Sequence, residues 1–245
     1  MTEFVSLKKA LTRIQPGDTI VFGGFQTNRA PVAFVQALAR KRTPLRLSVL
    51  SFPNPLPLTL LHAAGQVASL QSSFNGVVLE NGFTVPRRIR QAIETGQIAW
   101  QESDVYAMIQ GLRAGAQGLP FMPAPGLAES AYAEKNRYQS VKSPYDGGSI
   151  LVVPPLRPDV AVLHVQQADR QGNVWIADPL NDQLLAQAAR RVIVSCEEIV
   201  ERISQPTIAA VYLDCIVHLP QGAVPTSCAG HYAQDDARLH ALLTS

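Results

Sequence analysis

The run Asp159-Val-Ala-Val-Leu-His-Val165 limits the fold of this chain more than any other stretch. It is continuously apolar over a strand's length instead of alternating. Such a strand is buried on both faces, as in parallel sheets covered by helices on each side. Thr19-Ile-Val-Phe22 and Arg191-Val-Ile-Val-Ser-Cys196 are of the same kind. Between them lie segments with helical spacing: Leu7, Ala10, Leu11 and Ile14, then Phe34, Val35 and Leu38, then Val105, Met108, Ile109, Leu112 and Ala116. This alternation predicts an α/β fold with a mostly parallel sheet flanked by helices on both sides, one domain spanning 1–245.

Composition narrows the function classes. With 47% hydrophobic and 16% charged residues the chain has ample core and is not a disordered sequence. A net charge of +2 gives no basis for nucleic-acid binding. No apolar run reaches the length that crosses a bilayer, and the start lacks the order of a signal peptide. Three cysteines without paired spacing argue against a disulfide framework and a zinc site. The expectation is a reduced, cytoplasmic protein without a bound metal.

The stretch with most chemical content is Gly23-Gly-Phe-Gln-Thr-Asn-Arg-Ala-Pro31, which joins the strand Thr19–Phe22 to the helix from Val32. Pro31 suits a first helical position, where its missing N–H has no intrahelical partner to lose. Two glycines let the backbone approach a ligand closely. A strand, glycine turn and helix N-terminus aim N–H groups at an anion or a developing oxyanion. Gly23, Gly24 and Phe25 are therefore candidate catalytic positions, and Gln26, Asn28 and Arg29 candidate substrate-binding ones. The equally weighted plain reading is a tight strand-to-helix connection. The loop matches neither the dinucleotide nor the phosphate-loop glycine pattern, so neither NAD nor ATP is inferred.

Other polar residues have strong structural readings. Glu102, beside Ser103 and Asp104, reads as an acid at the start of a helix over Glu102–Ala116 capped by Ser103. Glu197-Glu198 reads as the acidic first turn of a short helix after a strand. Glu80 reads as a solvated loop carboxylate. Cys196 and Cys215 read as small core residues, and His164 as a core histidine. Cys228 lies near His231, but no motif supports cysteine–histidine chemistry. Pro53, Pro55 and Pro57 are expected to delay helix formation until Leu58, and residues 128–145 to form a mobile excursion.

Several stretches together resemble the α (A) subunit of family I CoA-transferases, most closely the glutaconate branch. They are Gly23–Pro31, Pro86-Arg-Arg-Ile-Arg90, Ala114-Gly-Ala-Gln-Gly-Leu-Pro-Phe-Met-Pro123, Val194-Ser-Cys-Glu-Glu-Ile199, Asp214-Cys-Ile-Val217 and Gly222-Ala-Val-Pro-Thr-Ser-Cys228. The resemblance implies a partner β subunit in an α2β2 heterotetramer, with a β-subunit glutamate as the nucleophile. It implies coenzyme A as substrate and no permanently bound cofactor. The Gly23-Gly24-Phe25 turn would lie near that glutamate, and Arg29, Arg87 and Arg88 would be carboxylate partners for a short dicarboxylic acyl group. Glu80-Asn81-Gly82 superficially resembles the β-subunit catalytic motif, but the corresponding region here is Ser51-Phe52-Pro53. The family also contains a hydrolase that opens a ring of a CoA thioester, whose α-subunit glutamate Glu102 matches in position, and a methylglutaconyl-CoA decarboxylase. CoA transfer is the first expectation. Decarboxylation, ring hydrolysis and a non-catalytic CoA-binding scaffold are the alternatives.

Overall fold

The structure, a computed structural model, describes residues 2–80 and 82–244. Asn81, within the Glu80-Asn81-Gly82 stretch, lies outside the described residues. The first half runs β1 (Glu3–Phe4), α1 (Leu7–Leu11), β2 (Thr19–Phe22), α2 (Val32–Ala39), β3 (Leu47–Ser51) and α3 (Pro55–Ala63). It continues with β4 (Val67–Ser72), a hairpin of β5 (Val77–Leu79) and β6 (Gly82–Thr84), α4 (Arg87–Glu94), β7 (Ala99–Glu102) and α5 (Val105–Gln117). Then come β8 (Met122–Pro123), α6 (Ala131–Lys135), β9 (Gln139–Lys142) and β10 (Ser149–Val153). The last part is β11 (Val160–Asp169), β12 (Val174–Trp175), α7 (Asp182–Ala188), β13 (Arg191–Val200), β14 (Cys215–His218) and α8 (Asp236–Thr244).

Eight strands form the main sheet in the order β1-β14-β13-β11-β2-β3-β4-β7, all parallel, and β12 adds antiparallel to β11. The continuously apolar strands occupy its centre, as their composition requires. One face packs Ile20, Phe22, Val49, Leu70 and Val162 against Phe34, Leu38 and Leu61 from α2 and α3. The other packs Val21, Leu50, Leu163 and Val194 against Met108 and Leu112 of α5 and Leu185 of α7. The fold is thus the α/β sheet with helices on both sides that the alternation of patterns predicts.

Five local expectations are corrected. Pro31 precedes α2 instead of opening it, with no side-chain cap at that end. Pro55 and Pro57 lie inside the first turn of α3, where their missing N–H groups forfeit no intrahelical bond. Glu102 does not start a helix. It ends β7, and Asp104 caps α5 by accepting from the N–H groups of Tyr106 (2.8 Å) and Ala107 (3.2 Å). Residues 128–145 are not a featureless excursion. They contain α6 and β9, and β9 joins β10 and β8 in a small antiparallel sheet. Glu197 lies within β13, not at a helix start.

Candidate functional site at the carboxyl edge of the sheet

In open α/β sheets ligands bind outside the carboxyl ends of the strands. Here that edge is built in register. Ser51 of β3 pairs with Ser72 of β4, and Ser72 pairs with Glu102 of β7. Val21 of β2 pairs with Leu50, so the loop from Gly23 leaves the sheet beside this row. At ~4.8 Å between strands, Glu102 lies about 10 Å from Ser51 along the edge.

The glycine loop is held from behind. Arg29 is completely buried. Its Nε donates to Asp178 Oδ1 (3.0 Å), its Nη1 to the His164 carbonyl (3.1 Å), and its Nη2 to the Asp178 carbonyl and Asp182 Oδ2 (2.7 Å each). Burial works against its charge, but Asp182 and Asp178 outweigh that and raise its pKa. Burial pushes the Asp182 carboxyl up, and the Arg29 guanidinium and the Gly24 N–H pull it back. Asn28 donates to the second oxygen of Asp178.

This geometry corrects two assignments. The N–H groups expected to meet an oxyanion are engaged within the chain. Gly23 donates to the Val162 carbonyl (2.9 Å), Gly24 to Asp182 Oδ1 (3.0 Å), Phe25 to the Asn28 carbonyl (2.9 Å) and Gln26 to the Pro53 carbonyl (2.7 Å). The glycines are needed for the turn itself. A Cβ on Gly23 would stand 2.1 Å from Asp182 Oδ1, and Gly24 has φ +78°. Arg29 likewise is no partner for a substrate carboxylate, because its guanidinium is consumed by the clamp.

Arg87 and Arg88 open α4, away from this loop. His62, near the end of α3, feels the charge of Arg88, while Asn54, just before α3, donates to the Gly23 carbonyl (2.7 Å). Eight residues of helix separate those contacts by roughly 12 Å. Glu102 does share the edge with the glycine loop. Its carboxylate pairs with Lys135 and lies 3.5 Å from the Tyr132 hydroxyl, and Asn136 donates to its carbonyl (3.0 Å).

Four positions at the edge carry a feature that sequence reasoning missed. Ser51 Oγ, Asn54 Oδ1, Ser73 Oγ and Asn75 Oδ1 are buried and have no hydrogen-bond partner among the described residues. All four lie just beyond β3 or β4, or at the last residue of β3. Buried polar atoms are normally paired, so such a cluster marks a place where a further group supplies the partner. Beside it stands the β5–β6 hairpin, tied to the glycine loop by a bond from Gln26 Nε2 to the Gly76 carbonyl (3.2 Å).

A second buried network centres on Glu197. One oxygen receives His164 Nε2 (2.7 Å) and the Tyr232 hydroxyl, and the other receives the Gln221 N–H (2.6 Å). Burial favours the neutral acid, but these three donors prevail and hold its pKa at about 2. Burial lowers the pKa of His164, partly offset by Glu197, and its Nδ1 meets Ser195 Oγ at 2.8 Å. His164 is thus a core histidine with a partner on each nitrogen. Cys228 approaches this group, so that one donor atom each of His164, Glu197 and Cys228 falls within 4.8 Å. Burial pushes its thiol up to about 12, which keeps it protonated.

The sequence profile of the Coenzyme A transferase family matches residues 4–218. The chain belongs to this coenzyme A transferase family. It is 32% identical to the A subunit of 3-oxoadipate CoA-transferase from Pseudomonas knackmussii, over 96% of this chain and 86% of that protein. Among solved structures it is similar to a variant of the decarboxylase AibA/AibB, with 39% identity and a TM-score of 0.94 over 98% of this chain and 91% of that one. It is also similar to glutaconate coenzyme A-transferase from Acidaminococcus fermentans, with 27% identity and a TM-score of 0.87 over 97% and 82%. The resemblance seen in the sequence therefore holds at the level of the family and of its A subunits. As a family member the chain is one subunit of an enzyme. Among the described residues no helix is long and apolar enough to cross a membrane.

Proposed function

We propose that this chain is the A subunit of a heteromeric enzyme acting on a short acyl-CoA thioester, with the acyl–thioester end lying along the carboxyl edge between the glycine loop and Glu102. The observation that carries this reading is the row of unpartnered buried polar atoms on Ser51, Asn54, Ser73 and Asn75. Two carboxamide oxygens there accept hydrogen bonds, and two hydroxyls donate or accept. An acyl-CoA offers both kinds of partner, in the amide N–H groups of its pantetheine arm and in its thioester carbonyl. The second subunit completes the site and supplies any nucleophile, because the glycine loop itself carries no carboxylate or thiol.

For the reaction, decarboxylation is the first reading. It is supported by the similarity to the AibA/AibB decarboxylase at 39% identity and by the withdrawal of Arg29 into the clamp. A substrate carboxylate with no guanidinium to meet it is poorly stabilised in its ground state. Breaking its carbon–carbon bond releases carbon dioxide and sends the electron pair into the thioester's conjugated system, which a proton then quenches. Glu102, with Tyr132 and Lys135 around it, is the proton-handling group this chain places at the edge. CoA transfer is the second reading, supported by the family profile and by the likeness to the 3-oxoadipate CoA-transferase chain. There a partner glutamate would carry the CoA as a thioester.

The test is to co-express the chain with the product of the adjacent reading frame and incubate the complex with glutaconyl-, methylglutaconyl-, succinyl- and acetyl-CoA, with and without acetate. The expected outcome, by mass spectrometry, is loss of carbon dioxide from a carboxylated thioester without acceptor. CoA appearing on acetate would replace this with the transfer reading. No change in any thioester would remove both.

A further inference from the structure

The Glu197 network and the glycine loop are joined by a single stretch of chain. Leu219 donates to the Cys196 carbonyl of β13 (2.9 Å), and from there the chain folds into an arm that runs to Tyr232. The inner side of the arm rests on Glu197. The Gln221 N–H meets one carboxylate oxygen (2.6 Å), and the Tyr232 hydroxyl donates to the other. That hydroxyl also accepts from the Ala223 N–H (3.1 Å), so it closes the arm on itself. Gly222 lies against the His164 ring, where a Cβ would come within 2.6 Å of Cε1.

The outer side of the arm carries the backbone of the glycine loop. The Ser227 N–H donates to the Thr27 carbonyl, and the Ser227 carbonyl accepts from the Arg29 N–H (2.8 Å each), which makes a parallel bridge at Asn28. The Ser227 hydroxyl adds a bond to the Thr27 carbonyl (3.2 Å). Ala30 donates to Thr226 Oγ1 (3.2 Å), and Ala33 to the Gly222 carbonyl (2.9 Å). The bond from Ala33 serves α2, which starts without a side-chain cap, so its first N–H groups need acceptors from outside the helix. Asp182 and Asp178 hold the loop by the Arg29 guanidinium, and the arm holds it by its main chain.

An apolar residue at position 197 would fill the same space without fixing a direction. A buried carboxylate met by directional donors admits one placement of the groups around it. We infer that Glu197 and Tyr232 are positioning residues for the glycine loop: their buried contact sets the arm, and the arm sets the backbone of Thr27–Ala30 and so the place of Phe25 and Gln26 at the carboxyl edge. Both act through the arm, from behind the loop. The effect on turnover rests on the acyl-CoA reading above; the effect on the loop does not.

The experiment compares Tyr232→Phe with the wild type, each in complex with the product of the adjacent reading frame. The variant keeps the ring and removes the hydroxyl, so the Ala223 N–H and one Glu197 oxygen each lose a partner. Backbone hydrogen exchange, read by mass spectrometry, is expected to quicken roughly 5-fold or more over residues 25–30, the scale of one hydrogen bond lost from local opening. Exchange in β4 and β7 is expected to stay as in the wild type. For whichever of glutaconyl-, methylglutaconyl-, succinyl- and acetyl-CoA the wild type converts, kcat is expected to fall about 10-fold with KM within about 2-fold, because a displaced loop disturbs reacting geometry more than thioester binding. Val67→Ala is the control for lost stability alone: it removes two methyl groups packed at the start of β4 and touches neither arm nor loop. It is expected to leave kcat and exchange over residues 25–30 unchanged. Unchanged exchange over residues 25–30 in Tyr232→Phe would overturn the inference, and so would an equal rise in Val67→Ala. Quickened exchange with kcat and KM both unchanged would overturn the role in turnover. Conversion of none of these thioesters by the wild type would overturn the acyl-CoA reading, and the exchange comparison would still decide whether Tyr232 positions the loop.

Discussion

Behind the glycine loop, and in front of it, the same sheet edge is built on opposite principles. Behind it, Arg29, Asp178, Asp182 and the N–H of Gly24 are mutually paired, and Glu197 receives three donors. In front of it, four polar atoms lack partners among the described residues and an aromatic pair stands in the open. A buried charge costs several kcal/mol unless it is met, so the rear network is complete and rigid. The front contains polar groups that find no partner among the described residues. The difference teaches that the loop's most polar residues, Asn28 and Arg29, serve its shape.

The sharpest way to break this contrast is to remove the centre of the rear clamp. Arg29→Met leaves Asp182 buried without its counter-charge. Loss of one partner of a buried pair is expected to cost about 3–5 kcal/mol. Urea denaturation measures it. The double variant Arg29→Met with Asp182→Leu is expected to recover part of the loss, because no charge is then stranded. A loss below about 1 kcal/mol for the single variant, where about 3 or more is expected, would mean that the clamp is not the support described here.

The second rear network is read through pH. The Glu197 pKa is lowered from 4.5 to about 2 in the folded chain. Its contribution is therefore present above about pH 4.5 and is lost as the pH falls towards 2, roughly 3 kcal/mol over that span. His164 is held neutral below its ordinary 6.5. The unfolded chain gains a proton there that the folded chain does not, so stability already begins to decline below about pH 6.5. Stability measured from pH 7 down to 3 should fall with a slope that Glu197→Gln flattens below about pH 4.5. At neutral pH that variant should be destabilised, since its amide presents donors to the Gln221 N–H.

Gly24 comes next. With φ +78° and a Cβ that would stand 2.4 Å from the Asn28 carbonyl, Gly24→Ala is expected to lose roughly 1–3 kcal/mol through backbone strain. Thermal melting measures it. A neutral substitution would show that the loop relaxes without consequence.

Much of this was legible in the sequence because it follows from local pattern. Continuous apolar runs specify buried parallel strands wherever they occur, and Val105 to Ala116 carries a helical period strong enough to be read alone. The misreadings share a physical cause. Glu197 looks like an acid in the first turn of a helix because nothing local reveals that His164, Gln221 and Tyr232 will converge on it. Arg29 looks available for a ligand because Asp178 and Asp182, which consume it, lie 149 and 153 residues away in the chain. Ser51, Asn54, Ser73 and Asn75 carry no signal as residue types. Their meaning comes from burial without partners, which only the assembled edge defines. Phe74 and Phe83 flank Glu80, which reads as a loop carboxylate, since the three-residue strands β5 and β6 are too short for a period to register.

Glu102 gives the smallest effect on stability and the finest cut through the comparison. It belongs to the front of the edge, aligned with Ser51 and Ser72, and yet it is paired, to Lys135. That pair is partly solvent-exposed, with 31% of the Glu102 side chain and 53% of the Lys135 side chain accessible. Such pairs contribute at most about 1 kcal/mol, so Glu102→Gln should melt within a few degrees of the wild-type chain. If Glu102 handles a proton at the site, turnover by the intact complex should nevertheless fall by about 100-fold or more. Lys135→Met is the companion variant, removing the same ion pair while leaving the carboxylate. Equal losses of turnover in both would assign Glu102 to the scaffold with its salt bridge. A large loss confined to Glu102→Gln would place the carboxylate among the groups at the front of the edge that act on another molecule.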